Sequence, residues 1–122
     1  MADRILFIGW GASVRGREER SLEVLDAAVG FYGRCQQEGR IESFDVILLE
    51  PHGGGLAGYI ELRGSADQLT ALRQDQEFRR ILIDASLIVD ELGIVEGFAN
   101  EGIARELALY REAIAQVPQP AG

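Results

Sequence analysis

The chain has 122 residues, enough for one domain with its own hydrophobic core. Its 20 acidic residues against 12 basic ones leave a formal net charge of -8, a field that repels nucleic acid and anionic membrane surfaces. All the basic residues are arginine, so Schiff-base and lysine-acid chemistry have no residue to run on. The single cysteine, Cys35, forbids an intramolecular disulfide, and one histidine with one cysteine makes no ordinary zinc site without carboxylates. The apolar run Ile5–Ile8 is too short for a signal segment or a membrane span, and no longer run follows. The default location is the cytoplasm.

Ile5 to Trp10 is a continuous apolar run closed by glycine, which predicts a strand buried on both faces. A loop, GASVRGR, follows at Gly11–Arg17. Leu22, Leu25, Val29, Tyr32 and Cys35 then recur at helical spacing and predict the buried face of a long helix. Glu18 and Glu19 suit its first turn, and Gly39 is its stop signal. Cys35 falls on the apolar face and reads as a small core residue.

Ile41–Glu50 predicts a second strand, with Phe44, Val46 and Leu48 on one face and Ile47 and Leu49 on the other. Pro51 to Gly55 turns the chain, and Leu56–Arg63 predicts a third strand completing a hairpin. Ile60 and Leu62 share one face of it; Tyr59, Glu61 and Arg63 share the other. Ser65 to Gln68 has the form of a capping box. The helix it opens carries Leu69 and Leu72, breaks near Asp75–Gln76, and resumes with Phe78, Ile81, Leu82 and Ala85. Asp90–Gly93 turns the chain into a fourth strand, Leu92–Asn100, with Ile94 and Phe98 on one face. A last amphipathic helix spans 103–117, and residues 119–122 read as a frayed tail behind a single domain, 1–118.

The order β-α-β-β-α-β is the ferredoxin-like α+β plan, a four-stranded antiparallel sheet with two main helices on one face. Its other face is read as apolar, since strands one, two and four carry apolar residues on both sides. An uncovered surface of that kind exceeds the roughly 300–600 Å² patch of an ordinary monomer. The terminal helix must fold across it, or two copies must pair sheet to sheet. Tyr59, Glu61 and Arg63 are then interface residues, with Glu61 and Arg63 pairing across a two-fold axis.

This element order, the two-sided sheet and the stretch LRQDQEFRRILIDASLIVDELGIVEGF (Leu72–Phe98) resemble the dimeric α/β-barrel superfamily over residues 4–100. The resemblance implies a homodimer. It implies a small-molecule binder or metal-free enzyme, monooxygenase- or isomerase-like, acting on a small apolar or aromatic carbonyl compound. No metal and no organic cofactor is expected. Relatives that bind haem through a helix-borne histidine have no counterpart here, because His52 falls in the hairpin. The alternative is a non-catalytic ligand-sensing or protein-interaction module.

The topology brings three connections to one end of the sheet: Gly11–Arg17, Pro51–Gly55 and Asp90–Gly93. That end gathers Trp10, Ser13, Arg15, Arg17 and His52 as candidate ligand-binding residues. His52, the only histidine, is the candidate general base, with Asp90 or Glu91 as its possible orienting partner. Arg15 and Arg17 suit an acidic group on a ligand. The glycines at 53–55 feed a strand rather than a helix, so they are turn residues and not a phosphate cradle.

Overall fold

A computed structural model describes residues 1–118 and 120; the tail expected at 119–122 therefore lies almost wholly outside the described residues. The strands are β1 (Arg4–Trp10), β2 (Ser43–Leu48), β3 (Gly58–Gly64) and β4 (Gly93–Phe98). The helices are α1 (Glu18–Gln37), α2 (Ala66–Gln74), α3 (Gln76–Ser86) and α4 (Glu101–Ala115). The strands pair antiparallel in the order β2-β3-β1-β4, so β1 and β3 are central. This is the ferredoxin-like plan, with the second helix divided in two and a helix added at the end.

Register explains why the chain adopts it. Leu6 pairs with Leu62, Ile8 with Ile60 and Trp10 with Gly58, which places all six on the helix-facing side. Phe44, Val46 and Leu48 of β2 and Ile94 and Phe98 of β4 join them by the same alternation. Leu6 and Leu62 are fully buried beneath Phe31, Tyr32, Leu69, Leu72 and Phe78. The strands are shorter than the sequence suggests, because Ile41, Leu49 and Leu56 pack or turn outside the ladder.

The helix break is a double use of one residue. The Asp75 carboxylate accepts from the Phe78 N–H at 3.0 Å, capping α3, while the Asp75 N–H donates to the Leu72 carbonyl and closes α2. Arg40 also pairs with Asp75, at 2.6 Å. The capping box is complete: Gln68 N–H donates to Ser65 Oγ at 3.1 Å, and Ser65 N–H donates to Gln68 Oε1 at 2.8 Å.

Two expectations need correction. The buried face of α1 is Val24, Ala28, Phe31, Tyr32 and Cys35. Leu22 is 64% exposed, and Leu25 and Val29 are only half-buried. Residues 22–29 are apolar on several sides, so packing against α3 and the sheet, not periodicity, sets the helix's rotation. The open face of the sheet is also less apolar than expected. It carries Ile5, Phe7, Ile47, Tyr59 and Val95, but an ionic row runs through it, with Arg63 paired to Asp45 and to Glu61 at 2.8 Å. Phe7 stacks on Tyr59 with centroids 5.0 Å apart, while Val95 stays 57% exposed. α4 does not cover this face; it packs chiefly beside β4 and buries only Gly102.

Candidate ligand cavity

The three connections do meet at one end. The Gly11 N–H donates to the Asp90 carbonyl at 2.7 Å, and the Asp90 N–H donates to the Ala12 carbonyl at 2.8 Å. A side chain on Gly11 would strike the Asp90 and Gly55 carbonyl oxygens, so the loops pack backbone to backbone only because position 11 has none. The Ala57 N–H donates to the Trp10 carbonyl at 2.7 Å and ties the hairpin to the end of β1.

Beneath this cluster, between the sheet and helices α1 and α3, lies a cavity of about 200 Å³. The sheet contributes Ile8, Trp10, Leu48 and Ile60 to its wall. α1 contributes Ser21, Leu22, Val24, Leu25, Ala28 and Tyr32, and α3 contributes Ile81, Leu82 and Ala85. Ser13, Ile88, Val89 and Leu92 close the loop end. Leu22 and Leu48 are 64% and 67% exposed, which marks them as the mouth.

The polar atoms on this apolar wall are few. The Ser21 hydroxyl is committed to the Arg17 carbonyl at 3.1 Å and the Ile88 carbonyl at 3.3 Å. Ser13 is exposed and bridges to Val89 through its backbone. Tyr32 differs from both. It is 1% exposed and its ring packs among Phe31, Phe44 and Phe78. Its hydroxyl has no hydrogen-bond partner among the described residues, yet it is not a sealed, orphaned atom. Tyr32 is also among the residues that line the cavity. Burial pushes the phenol's pKa upward, so Tyr32 stays a neutral O–H donor across the working pH range.

Trp10 stands on the helix-facing side, at the end of β1, where its ring lies over Gly58. A Cβ there would come within 2.8 Å of both the indole Cζ2 and the Ile47 carbonyl oxygen. Gly58 thus gives the indole the space that holds it against the cavity.

Of the residues picked out from the sequence, Trp10 and Ser13 reach the wall, whereas Arg15, Arg17 and His52 do not. Arg15 and Arg17 are exposed in the loop ahead of α1, and neither has an ion-pair partner among the described residues. The nearby Glu18 carboxylate accepts from the Gly16 N–H. His52 is exposed and folds back on its own hairpin. Nε2 bonds the Leu56 carbonyl oxygen at 2.7 Å, and the Gly54 N–H donates to Nδ1 at 3.3 Å. That pattern requires the Nε2–H tautomer and leaves no ring nitrogen free for a substrate. Glu91 instead lies against Gly55. Cys35 is fully buried, and burial pushes its thiol pKa up, away from thiolate reactivity. Tyr32 was visible in the sequence only as a helix-face residue, and Ala28 was not singled out; their place in the wall depends on the gap between α1 and α3.

Fold and cavity together define a ferredoxin-like protein with an apolar pocket between its sheet and its helices. No family model matches the chain, and no curated protein matches it. The comparison with solved structures does find neighbours. A dimeric protein of unknown function with a ferredoxin-like fold, from Bacteroides fragilis, aligns with a TM-score of 0.58 at 11% identity, covering 79% of this chain and 96% of its own. A proposed antibiotic biosynthesis monooxygenase from Chloroflexus aurantiacus aligns at 0.53 with 12% identity, covering 80% and 93%. At these identities the likeness is one of fold. Among the described residues no helix is long and apolar enough to cross a membrane, and no cluster of three histidine, cysteine or acidic side chains is arranged to hold a metal ion.

Proposed function

We propose that the chain acts as a homodimer that binds a small aromatic carbonyl compound in the cavity, with the Tyr32 hydroxyl donating to the carbonyl oxygen. The observation that carries this reading is a phenol without a protein hydrogen-bond partner on a largely apolar wall, whose other hydroxyls are those of Ser13 and Ser21. A buried donor gains most from an acceptor when no protein atom competes for it. An apolar cavity of about 150 Å³ takes up benzene. At about 200 Å³ this one suits a benzene ring with a short substituent, such as acetophenone. The indole of Trp10 supplies an aromatic surface for the ring. The dimer reading draws on the half-buried apolar residues of the open sheet face and on the dimeric neighbour. Tyr59, Glu61 and Arg63 would lie in that interface. The in-chain pairing of Arg63 with Glu61 and Asp45 means that no cross-chain ion pair is needed to neutralise them.

Trp10 is the only tryptophan, so its fluorescence reports the cavity directly. Nine heavy atoms at about 0.5 kcal/mol each give roughly -4.5 kcal/mol, a sub-millimolar Kd. Acetophenone should change the Trp10 emission saturably in that range; a purely linear, collisional response would refute the site. Monooxygenase-like turnover adds oxygen uptake when an electron-rich aromatic ketone is supplied. Saturable binding without uptake favours the ligand-sensing alternative. The engagement of both His52 ring nitrogens inside the hairpin is the observation on that side.

A further inference from the structure

The cavity has a second polar end, gathered by one short segment. Ile88 and Val89, just past α3, run beside both the loop ahead of α1 and the first turn of α1. The Val14 N–H donates to the Ile88 carbonyl at 2.8 Å, and the Asp90 N–H donates to the Ala12 carbonyl at 2.8 Å. These two bonds bracket an antiparallel pair, Ser13 opposite Val89. The side chains of a pair placed this way lie on the same side at the closer of the two ladder spacings. Both residues line the cavity. The Ser21 hydroxyl reaches the same segment and donates to the Ile88 carbonyl at 3.3 Å. Two serines that are separate in the chain therefore meet at the loop end of a largely apolar wall.

The two hydroxyls differ. The Ser21 proton is committed to backbone carbonyls, that of Arg17 at 3.1 Å as well as that of Ile88, so only its lone pairs remain for a ligand. The Ser13 hydroxyl has no hydrogen-bond partner among the described residues and can both donate and accept. A group that satisfies both must give a proton to Ser21 and take one from Ser13. A hydroxyl does so. A halogen, an ether or a second ketone has no proton to give, and a carboxylate would set its charge against the Ser21 lone pairs.

The separation from Tyr32 fixes where that hydroxyl sits. Tyr32 follows Ser21 by 11 residues, about 16 Å along the axis of α1. Side chains on a helix lean towards its N-terminus, which for Tyr32 is the serine end. The phenol and the serines thus address opposite ends of one ligand. We infer that the cavity selects a para-hydroxy aryl ketone, with Tyr32 on the carbonyl and Ser13 and Ser21 on the hydroxyl across the ring. This rests on the aryl-ketone reading of the cavity and narrows it.

Calorimetric titration with three ketones of similar size tests the inference. 4-Hydroxyacetophenone should bind about tenfold tighter than acetophenone or 4-fluoroacetophenone, the gain expected of a newly satisfied hydrogen bond. That ratio should fall to about one in Ser13→Ala, and again in Ser21→Ala. Each variant is scored by two ketones on the same protein, so a general loosening of the site does not imitate the result. The wild-type preference for hydroxyl over fluorine is a test in itself should a variant fail to fold. Absence of saturable binding by all three ketones overturns the aryl-ketone reading and this inference with it. If acetophenone binds but the hydroxy ketone binds no tighter than the fluoro ketone, the serine end is overturned and the Tyr32 site stands. A preference that survives Ser13→Ala has the same meaning.

Discussion

Ala28→Leu separates a real cavity from a tightly packed core. Ala28 is 5% exposed on the inner face of α1, on the same wall as Ile8, Ile60 and Ile81. Leucine adds three carbons. At about 0.8 kcal/mol per buried carbon the gain is at most about 2.4 kcal/mol. Ordering the side chain costs about 0.5–1 kcal/mol. The net is a stabilisation of about 1–2 kcal/mol, in the range of cavity-filling changes, and a rise in Tm of about 4–8 °C. Urea unfolding should show a higher midpoint with an unchanged slope. The same carbons take the room a six-membered ring needs, so acetophenone binding should vanish while stability rises. Were the helix packed without a gap, overpacking would cost about 1–3 kcal/mol instead. A variant destabilised by 1 kcal/mol or more, or one that still binds the ketone, refutes the cavity.

Tyr32→Phe should leave stability within about 0.5 kcal/mol, because the hydroxyl has no protein partner to lose; ketone affinity should fall about tenfold, read by Trp10 fluorescence. Gly58→Ala should destabilise by about 1–3 kcal/mol and shift the Trp10 emission, since the new methyl meets both the indole and the Ile47 carbonyl. Asp75→Ala should cost about 1 kcal/mol through loss of the α3 cap, measured by urea unfolding, while Asp75→Asn keeps most of the cap. The Asp75 carboxyl is held below its ordinary value by the Phe78 N–H and by Arg40. Its contribution is therefore present above about pH 4, the unfolded value, and is lost as pH falls further through the folded one; the acid limb of the wild-type stability profile should flatten in Asp75→Asn. His52→Ala should speed amide exchange in the 52–56 hairpin and leave ketone binding unchanged.

Much of the fold was legible because its signals are local. Alternation separated Ile60 and Leu62 from Tyr59, Glu61 and Arg63, and the β3 register shows those faces. The Ser65–Gln68 box and the break at Asp75 are written in side chains that bond their own backbone neighbourhood. The rotation of α1 was not legible, because Leu22, Val24, Leu25, Ala28 and Val29 offer apolar surface in several directions and α3 selects among them. The cavity was less legible still. It is a gap between elements far apart in sequence, and Tyr32 looks like any other core residue until the missing partner of its hydroxyl is known. His52 drew attention by its chemistry, but a nine-residue hairpin loop between β2 and β3 has its own unpaired backbone groups, and the imidazole satisfies two of them.

The central claim is a hydrogen bond from Tyr32 to a ligand carbonyl, and carbon NMR reads it most directly. Acetophenone labelled with carbon-13 at the carbonyl should show a downfield shift of that resonance on binding, and the shift should be absent with Tyr32→Phe. A bound ketone whose carbonyl resonance does not move, or moves equally with Tyr32→Phe, would contradict the account.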